Sequence, residues 1–314
     1  FATWGVFQLA GHPVDLIWCL AFGALISPTD PIAVLGVMKA AKAPKQLETK
    51  VVGESLFNDG TGVILFTVFT GIGLALMRGG HDAAAEAFSA SSVALLLLKE
   101  VGGGIALGLI AGWICYRGLK SLEEPNLEVL MTVATVFVIG SFALKFHVSG
   151  PLAAVAAGIF IGNRGRRDAM GEKTAHSLDV VWTFTDEMLN AVLFLLIGLE
   201  VFAIDTQRAY VFIGLGLIPA MLVARFVSVA IPVTTLRIRR EIGPGTIRAL
   251  TWGGIKGGVS VSLAMKLPEF PGRTAILTVT YVLVIFSIVA QGLSLGPLLR
   301  RLFPAKAEAK AEAG

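Results

Sequence analysis

Residues 24–36 read ALISPTDPIAVLG, and the polar centre of this stretch lies inside a long apolar run, 13–38. Pro28 and Pro31 flank Thr29 and Asp30. Each proline removes a backbone donor and disfavours the helical conformation of the residue before it. The run is therefore expected to unwind at its middle and leave carbonyls without helical partners. Within a bilayer such carbonyls are tolerated only where protein or a water-filled cavity surrounds them. A broken helix with a carboxylate at the break is the first expectation.

The rest of the chain supplies the bilayer setting. Of 314 residues, 55% are hydrophobic and 15% charged, against roughly 25% charged in an ordinary soluble domain. Apolar runs of about the ~20 residues that span a bilayer recur along the sequence. They fall at 13–38, 51–77, 91–116, 126–146, 149–162, 177–200, 209–236, 246–265 and 273–299. The run at 149–162 is short for a crossing unless it extends into its neighbours. Such a succession predicts an all-α, polytopic membrane protein. The chain opens at Phe1 in apolar sequence without Met or a signal-peptide pattern. Residues 1–10 read as the tail of another helix, so the first spans are expected to be missing. The expected organisation is one transmembrane domain over 1–304 and a short charged cytoplasmic tail, AKAEAKAEAG, over 305–314.

Basic residues orient the spans, because cytoplasmic loops carry the excess of Lys and Arg. One set of alternate loops holds 18 of them, from Lys39 and Lys42 through Arg166, Arg167, Arg239, Arg240 and Arg248 to Arg300, Arg301, Lys306 and Lys310. The other set holds 5 (Arg78, Lys145, Arg208, Lys266 and Arg273), together with Asp82, Glu86, Asp205 and Glu269. This asymmetry predicts nine crossings and a cytoplasmic C-terminus in the cell membrane. It also accounts for the net charge of +4 as a topology signal, with no nucleic-acid partner implied.

Polar residues inside spans are rare and mark function by default. In VVGESLFNDGTGVILF, residues 51–66, Ser55 and Asp59 are four apart and share a helix face; Glu54 and Asn58 share the adjacent one. In LTWGGIKGGVSVSLAM, residues 250–265, two glycine pairs bracket Ile255 and Lys256. Glycine loosens a helix as proline does, so this is a second expected break, carrying a cation where the first carries an anion. Counting loops, 13–38 runs inward and 246–265 outward. Two interrupted helices of opposite direction match an inverted-repeat transporter with its site at the midplane. A buried lysine there would offset the partial negative charge of helix-end carbonyls. Elsewhere the signals are bland. Cys19 and Cys115 read as small apolar packers, and the isolated His12, His81, His147 and His176 carry no metal site. GGG at 102–104 reads as close helix packing.

ISPTDPIAVL, GESLFND (53–59), GPLAAVAAGIFIGN (150–163), DEMLNAVLFLLIGLE (186–200) and WGGIKGGVS (252–260) together resemble the monovalent cation/proton antiporters of the NhaP and sodium/proton exchanger type. The resemblance runs in order along essentially the whole chain. It implies an NhaA/NhaP-like fold with two interrupted crossing helices, and a homodimer. It implies that Asp59 is the carboxylate binding cation and proton in turn, with Thr29, Asp30, Glu54 and Ser55 shaping or completing the site. Asn58 matches the Asn of the Asn-Asp pair associated with electroneutral exchange. Where the family usually has Arg in the WGG–GG motif, this chain has Lys256; the resemblance implies an ion pair between Glu54 and Lys256. Asp186, Glu187 and Arg225 fall in family-like segments and are read as packing or gating groups.

The chemistry agrees with the residue types. A small hard cation is held by carboxylate, hydroxyl and carbonyl oxygens. Na⁺ is expected, with K⁺ or Li⁺ open, at Asp59, Asp30, Ser55 and Thr29. One carboxylate that accepts either cation or proton suffices for coupled exchange, with no cofactor and no enzymatic chemistry. A cation channel with the same polar lining is the alternative.

Overall fold

The computed structural model describes residues 1–41, 43–87, 91, 94–95, 98–122, 124–203, 207–237 and 245–303, and among these it contains helices and no strand. The tail 305–314, the loop cations Lys42, Arg239, Arg240, Lys306 and Lys310, and Asp205 lie outside the described residues. Helix α1 covers Ala2–Leu9, α2 Leu16–Leu25, α3 Pro31–Ala40 and α4 Lys45–Ala87. After a π-helical turn at Leu98–Gly102 come α5 (Gly103–Leu119), α6 (Pro125–Phe146) and α7 (Gly150–Phe160). Then follow α8 (Glu172–Ala203), α9 (Arg208–Arg237), α10 (Thr246–Trp252), α11 (Gly258–Met265), α12 (Arg273–Phe286) and α13 (Leu293–Leu302).

Among the described residues, five helical segments are long and apolar enough to cross a bilayer: Lys45–Arg78, Leu98–Leu119, Pro125–Phe146, Arg208–Leu236 and Arg273–Leu302. The short run 149–162 does extend. Pro151 sits in the first turn of α7, where its missing N–H leaves no gap. The helix then continues through a π-helical turn, Ile161–Gly165, into Arg166–Asp168. Both expected breaks are present. Residues 26–30 separate α2 from α3, with Pro31 free to start the second half. Residues 253–257, rich in glycine, separate α10 from α11.

The chain divides into two compact units, Ala75–Leu195 and the remainder, Phe1–Leu74 with the chain from Leu196 on. In the Ala75–Leu195 unit, α5 and α7 meet along small residues. A Cβ at Gly108 would lie 2.1 Å from the Ala153 carbonyl oxygen, and one at Gly104 would lie 2.7 Å from that of Ser149. Only glycine permits so close an approach, which is how helices associate where lipid removes the hydrophobic drive. Gly103, within the GGG, faces Val148 in the same seam. Polar ties join α6 to α8: Thr174 Oγ1 donates to the buried Glu128 carboxylate at 3.2 Å, and Trp182 Nε1 donates to Thr132 Oγ1 at 3.1 Å. Phe137, Leu144 and Phe184 point outward, as side chains solvated by lipid do.

The other unit has a continuous apolar core to which both interrupted helices contribute. Val34 and Met38 of α3 meet Val51 of α4, Val229 of α9, Leu250 of α10, Ile255 and Leu295 of α13, all buried. This core holds one half of each interrupted helix, α3 and α10, together with Ile255 in the second break. Cys19 is buried on α2, as Cys115 is on α5, and both are free thiols.

Candidate functional site

The two breaks lie against each other. The Asp30 backbone N–H donates to the Ile255 carbonyl at 2.8 Å, a strand-like bond between unwound segments. A Cβ at Gly257 would lie 2.7 Å from the Asp30 Cβ, so glycine is what allows this approach. Lys256 is buried at the crossing. Its Nζ donates to the carbonyls of Ser27 at 3.1 Å and Pro28 at 3.4 Å. These carbonyls extend the C-terminal, electronegative end of α2, and an ammonium there offsets both their partial charge and their lost hydrogen bonds.

Helix α4 brings its polar face to the first break. Thr29 N–H donates to Asp59 Oδ1 at 3.2 Å, while the Thr29 and Ser55 hydroxyls bond at 2.9 Å. Ser55 and Asp59, one turn apart, thus meet the same residue, Thr29, as their spacing predicts. Gly62 permits the contact: a Cβ there would lie 2.9 Å from the Pro28 ring and 3.1 Å from the Ala24 carbonyl oxygen. Thr29 and Ser55 are buried, whereas Asp30 and Asp59 are half-buried. The arrangement collects two carboxylates and two hydroxyls beside a stretch of unwound backbone, a donor set suited to a hard cation. A cavity of about 400 Å³ opens beside it, lined by Ser27, Asn58, Arg225 and Lys256 among apolar neighbours including Phe22 and Leu283.

Glu54 is where sequence and structure part. The expected partner was Lys256; the structure gives it Arg225, with Arg225 Nη1 2.5 Å from Glu54 Oε1. Lys256 lies on the unwound segment, where its Nζ is taken by the Ser27 and Pro28 carbonyls of the first break. Arg225 comes from the middle of α9, and its planar fork spans two acceptors, taking Glu54 with one nitrogen and the Leu250 carbonyl, at 3.2 Å, with another. Gly254 leaves room for it, since a Cβ there would lie 2.4 Å from Arg225 Nε. Arg225 therefore serves as a packing group that joins α4, α9 and α10. Asp186 accepts from Asn190, a turn away on α8.

A second polar chain, not anticipated from the sequence, holds the other break. Ser287 Oγ accepts from the Lys256 backbone N–H at 2.8 Å and bonds to Gln291 Oε1 at 2.5 Å. Gln291 Nε2 donates to the Trp252 carbonyl at 3.2 Å, and Trp252 Nε1 donates to Ser294 Oγ at 2.8 Å. Ser287 and Gln291 are buried and sit on a π-helical turn, Ser287–Gly292, between α12 and α13. Such turns recur at functional sites. The sequence signal was present, a Ser and a Gln four apart in an apolar span, but it named no partner.

The fold and site define an all-helical, polytopic membrane protein in which two interrupted helices cross beside a carboxylate on a third helix. The sequence matches the family "Sodium/hydrogen exchanger, transmembrane" over residues 1–301, and the chain belongs to that family. It is 45% identical to the Na(+)/H(+) antiporter NhaP of Pseudomonas aeruginosa over 310 residues, covering 98% of this chain and 71% of that protein. It is 34% identical to the Na(+)/H(+) antiporter NhaH of Halobacillus dabanensis over 290 residues, covering 92% of this chain and 70% of that one. Its fold is similar to the solved structure of the sodium proton antiporter MjNhaP1 from Methanocaldococcus jannaschii at pH 8. The TM-score is 0.71 at 18% identity, over 96% of this chain and 75% of the other.

Proposed function

We propose that the protein exchanges Na⁺ for protons across the cell membrane, as a secondary antiporter. The observation that carries this reading is the union of Asp59, Thr29 and Ser55 at the crossing of the two breaks. The names of the relatives, Na(+)/H(+) antiporters, support the same reading.

In this reading Asp59 is the exchanging carboxylate. A cation leaving water requires oxygens arranged in advance and a negative charge to offset its desolvation; Thr29, Ser55 and Asp30 complete that set with Asp59. When the cation departs, a proton takes its place on Asp59, so each ion displaces the other. Exposing the site to one side of the membrane and then to the other turns this competition into coupled transport. Asn58, being uncharged, adds no second titrating group beside Asp59, and with Asp30 keeping its charge through the cycle one cation moves against one proton and no net charge crosses. The Glu54–Arg225 pair and Lys256 hold the site without taking part in the exchange. The exchanger domain is 1–304, acting as a homodimer, and the excess of basic residues in alternate loops supports a cytoplasmic C-terminus.

The test uses the full-length protein in proteoliposomes carrying a pH gradient. Added Na⁺ should dissipate the gradient, and K⁺ and Li⁺ in parallel report the selectivity. Ion flux without proton coupling would point to a channel instead. Asp59→Asn keeps the shape but can neither carry a proton nor bind a cation strongly, so it should insert normally and show no exchange. Full Na⁺-driven dissipation by a well-expressed Asp59→Asn protein would overturn the assignment.

A further inference from the structure

A second cavity, of about 490 Å³, is lined by α9, α10 and α13 and shares no lining residue with the one beside the crossing. Phe226, Trp252, Pro297 and Leu298 form its apolar walls, and Arg248 and Arg301 stand in its lining. Arg248 is in the first turn of α10 and Arg301 in the last turn of α13, so both mark helix ends. Trp252 lies one turn deeper than Arg248, and Pro297 and Leu298 one turn deeper than Arg301. The cleft thus has a cationic mouth at the level of the loops and apolar walls below it, at the level of the spans.

Three observations point to polar groups in this lining without partners. No described lining residue is acidic. Among the described residues the ion-paired arginines are Arg166, Arg167, Arg225 and Arg273, and neither Arg248 nor Arg301 has an ion-pair partner there. The Thr251 hydroxyl, also in the lining, is buried without a hydrogen-bond partner among the described residues. A buried orphan hydroxyl is costly and points to a missing partner.

A simple anion would satisfy the arginines but leave the walls bare, and a neutral lipid would cover the walls but leave the arginines. An anionic head on an acyl chain answers both. Basic pockets between spans are where acidic lipid heads bind, and two guanidinium forks match a phosphate. We propose that this cleft binds an acidic phospholipid, its phosphate between Arg248 and Arg301 and an acyl chain along Phe226, Trp252 and Leu298. The lipid would then rest on Trp252 and Ser294, which the Gln291–Ser287 chain links to the Lys256 backbone at the second break. Occupancy would brace that break from outside.

The test reads binding alone, so its outcome is independent of the exchange reading. Full-length protein, delipidated in detergent, is titrated with phosphatidylglycerol, with phosphatidylcholine of the same chains, and with inorganic phosphate. Native mass spectrometry and melting temperature are followed. Phosphatidylglycerol should bind and raise the melting temperature, and the other two should not. The Arg248→Gln/Arg301→Gln variant should bind phosphatidylglycerol more weakly by about tenfold or more, from the loss of charge-assisted hydrogen bonds. Independently, phosphatidylglycerol with brominated chains should quench fluorescence in the wild type that is absent from Trp252→Phe. Equal binding of phosphatidylcholine, equal stabilisation by phosphate, unchanged affinity of the double variant, or no quenching at Trp252 would each overturn the proposal.

Discussion

Replacing Gly257 with alanine adds one methyl group at the tightest point of the crossing. The backbone there is extended, at φ −115° and ψ −161°, a conformation alanine adopts readily, so any effect is steric. The new Cβ would lie 2.7 Å from the Asp30 Cβ and 3.0 Å from its Oδ2. Carbon atoms in contact sit about 3.5–4.0 Å apart, so the two breaks must separate by about 1 Å. The Asp30–Ile255 backbone bond, 2.8 Å long, does not survive that displacement. Overpacking costs about 1–3 kcal/mol, and a buried amide left unpaired costs about 1–3 kcal/mol more. The sum, about 2–6 kcal/mol, should appear as a clear fall in melting temperature in detergent. Asp30 moves with its backbone, so cation-dependent dissipation of a pH gradient should fall well below wild type even in protein that remains folded. Gly140→Ala, in a helix with nothing near its Cβ, is the control and should be neutral or slightly stabilising. If Gly257→Ala keeps wild-type stability and exchange, the breaks do not pack as described and the reasoning fails.

Arg225→Ala removes the partner of a carboxylate in the apolar interior and should destabilise by about 2–4 kcal/mol, allowing for the partial exposure of Glu54. Glu54→Gln combined with Arg225→Gln should recover part of that loss in a double-mutant cycle; strict additivity would refute the pair. Gln291→Leu leaves the Trp252 carbonyl and Ser287 short of a partner, so the melting temperature should fall, whereas Gln291→Glu should retain the bond to Ser287. A Gln291→Leu protein as stable as wild type would show that the chain of bonds is dispensable. Electroneutrality predicts that the Na⁺ gradient at which proton flux reverses does not move with voltage. A clamp of 100 mV acts on one uncompensated charge by ~2.3 kcal/mol, so a shifting null point would be plain and would mean that a second proton is carried.

The sequence by itself determined the elements and where they break. Pro28 and Pro31, and the glycines around Lys256, act within a turn of themselves, so their effect needs no partner to be predicted. The i, i+4 spacing of Ser55 and Asp59 likewise put both on the side that Thr29 meets. What it could not determine was which long side chain reaches which acceptor. Glu54 had two cations well within spans to choose from, Arg225 and Lys256; family likeness favoured Lys256, while the structure pairs it with Arg225. The choice depends on where α9 stands against α4 and on how far a side chain extends across the gap. The support of Lys256 by Ser287 and Gln291 was hidden for the same reason. A π-helical turn in another helix shifts those two residues onto the break. Local stereochemistry is written in neighbouring residues, whereas ion pairs and polar chains follow from the placement of helices distant in sequence, which only packing decides.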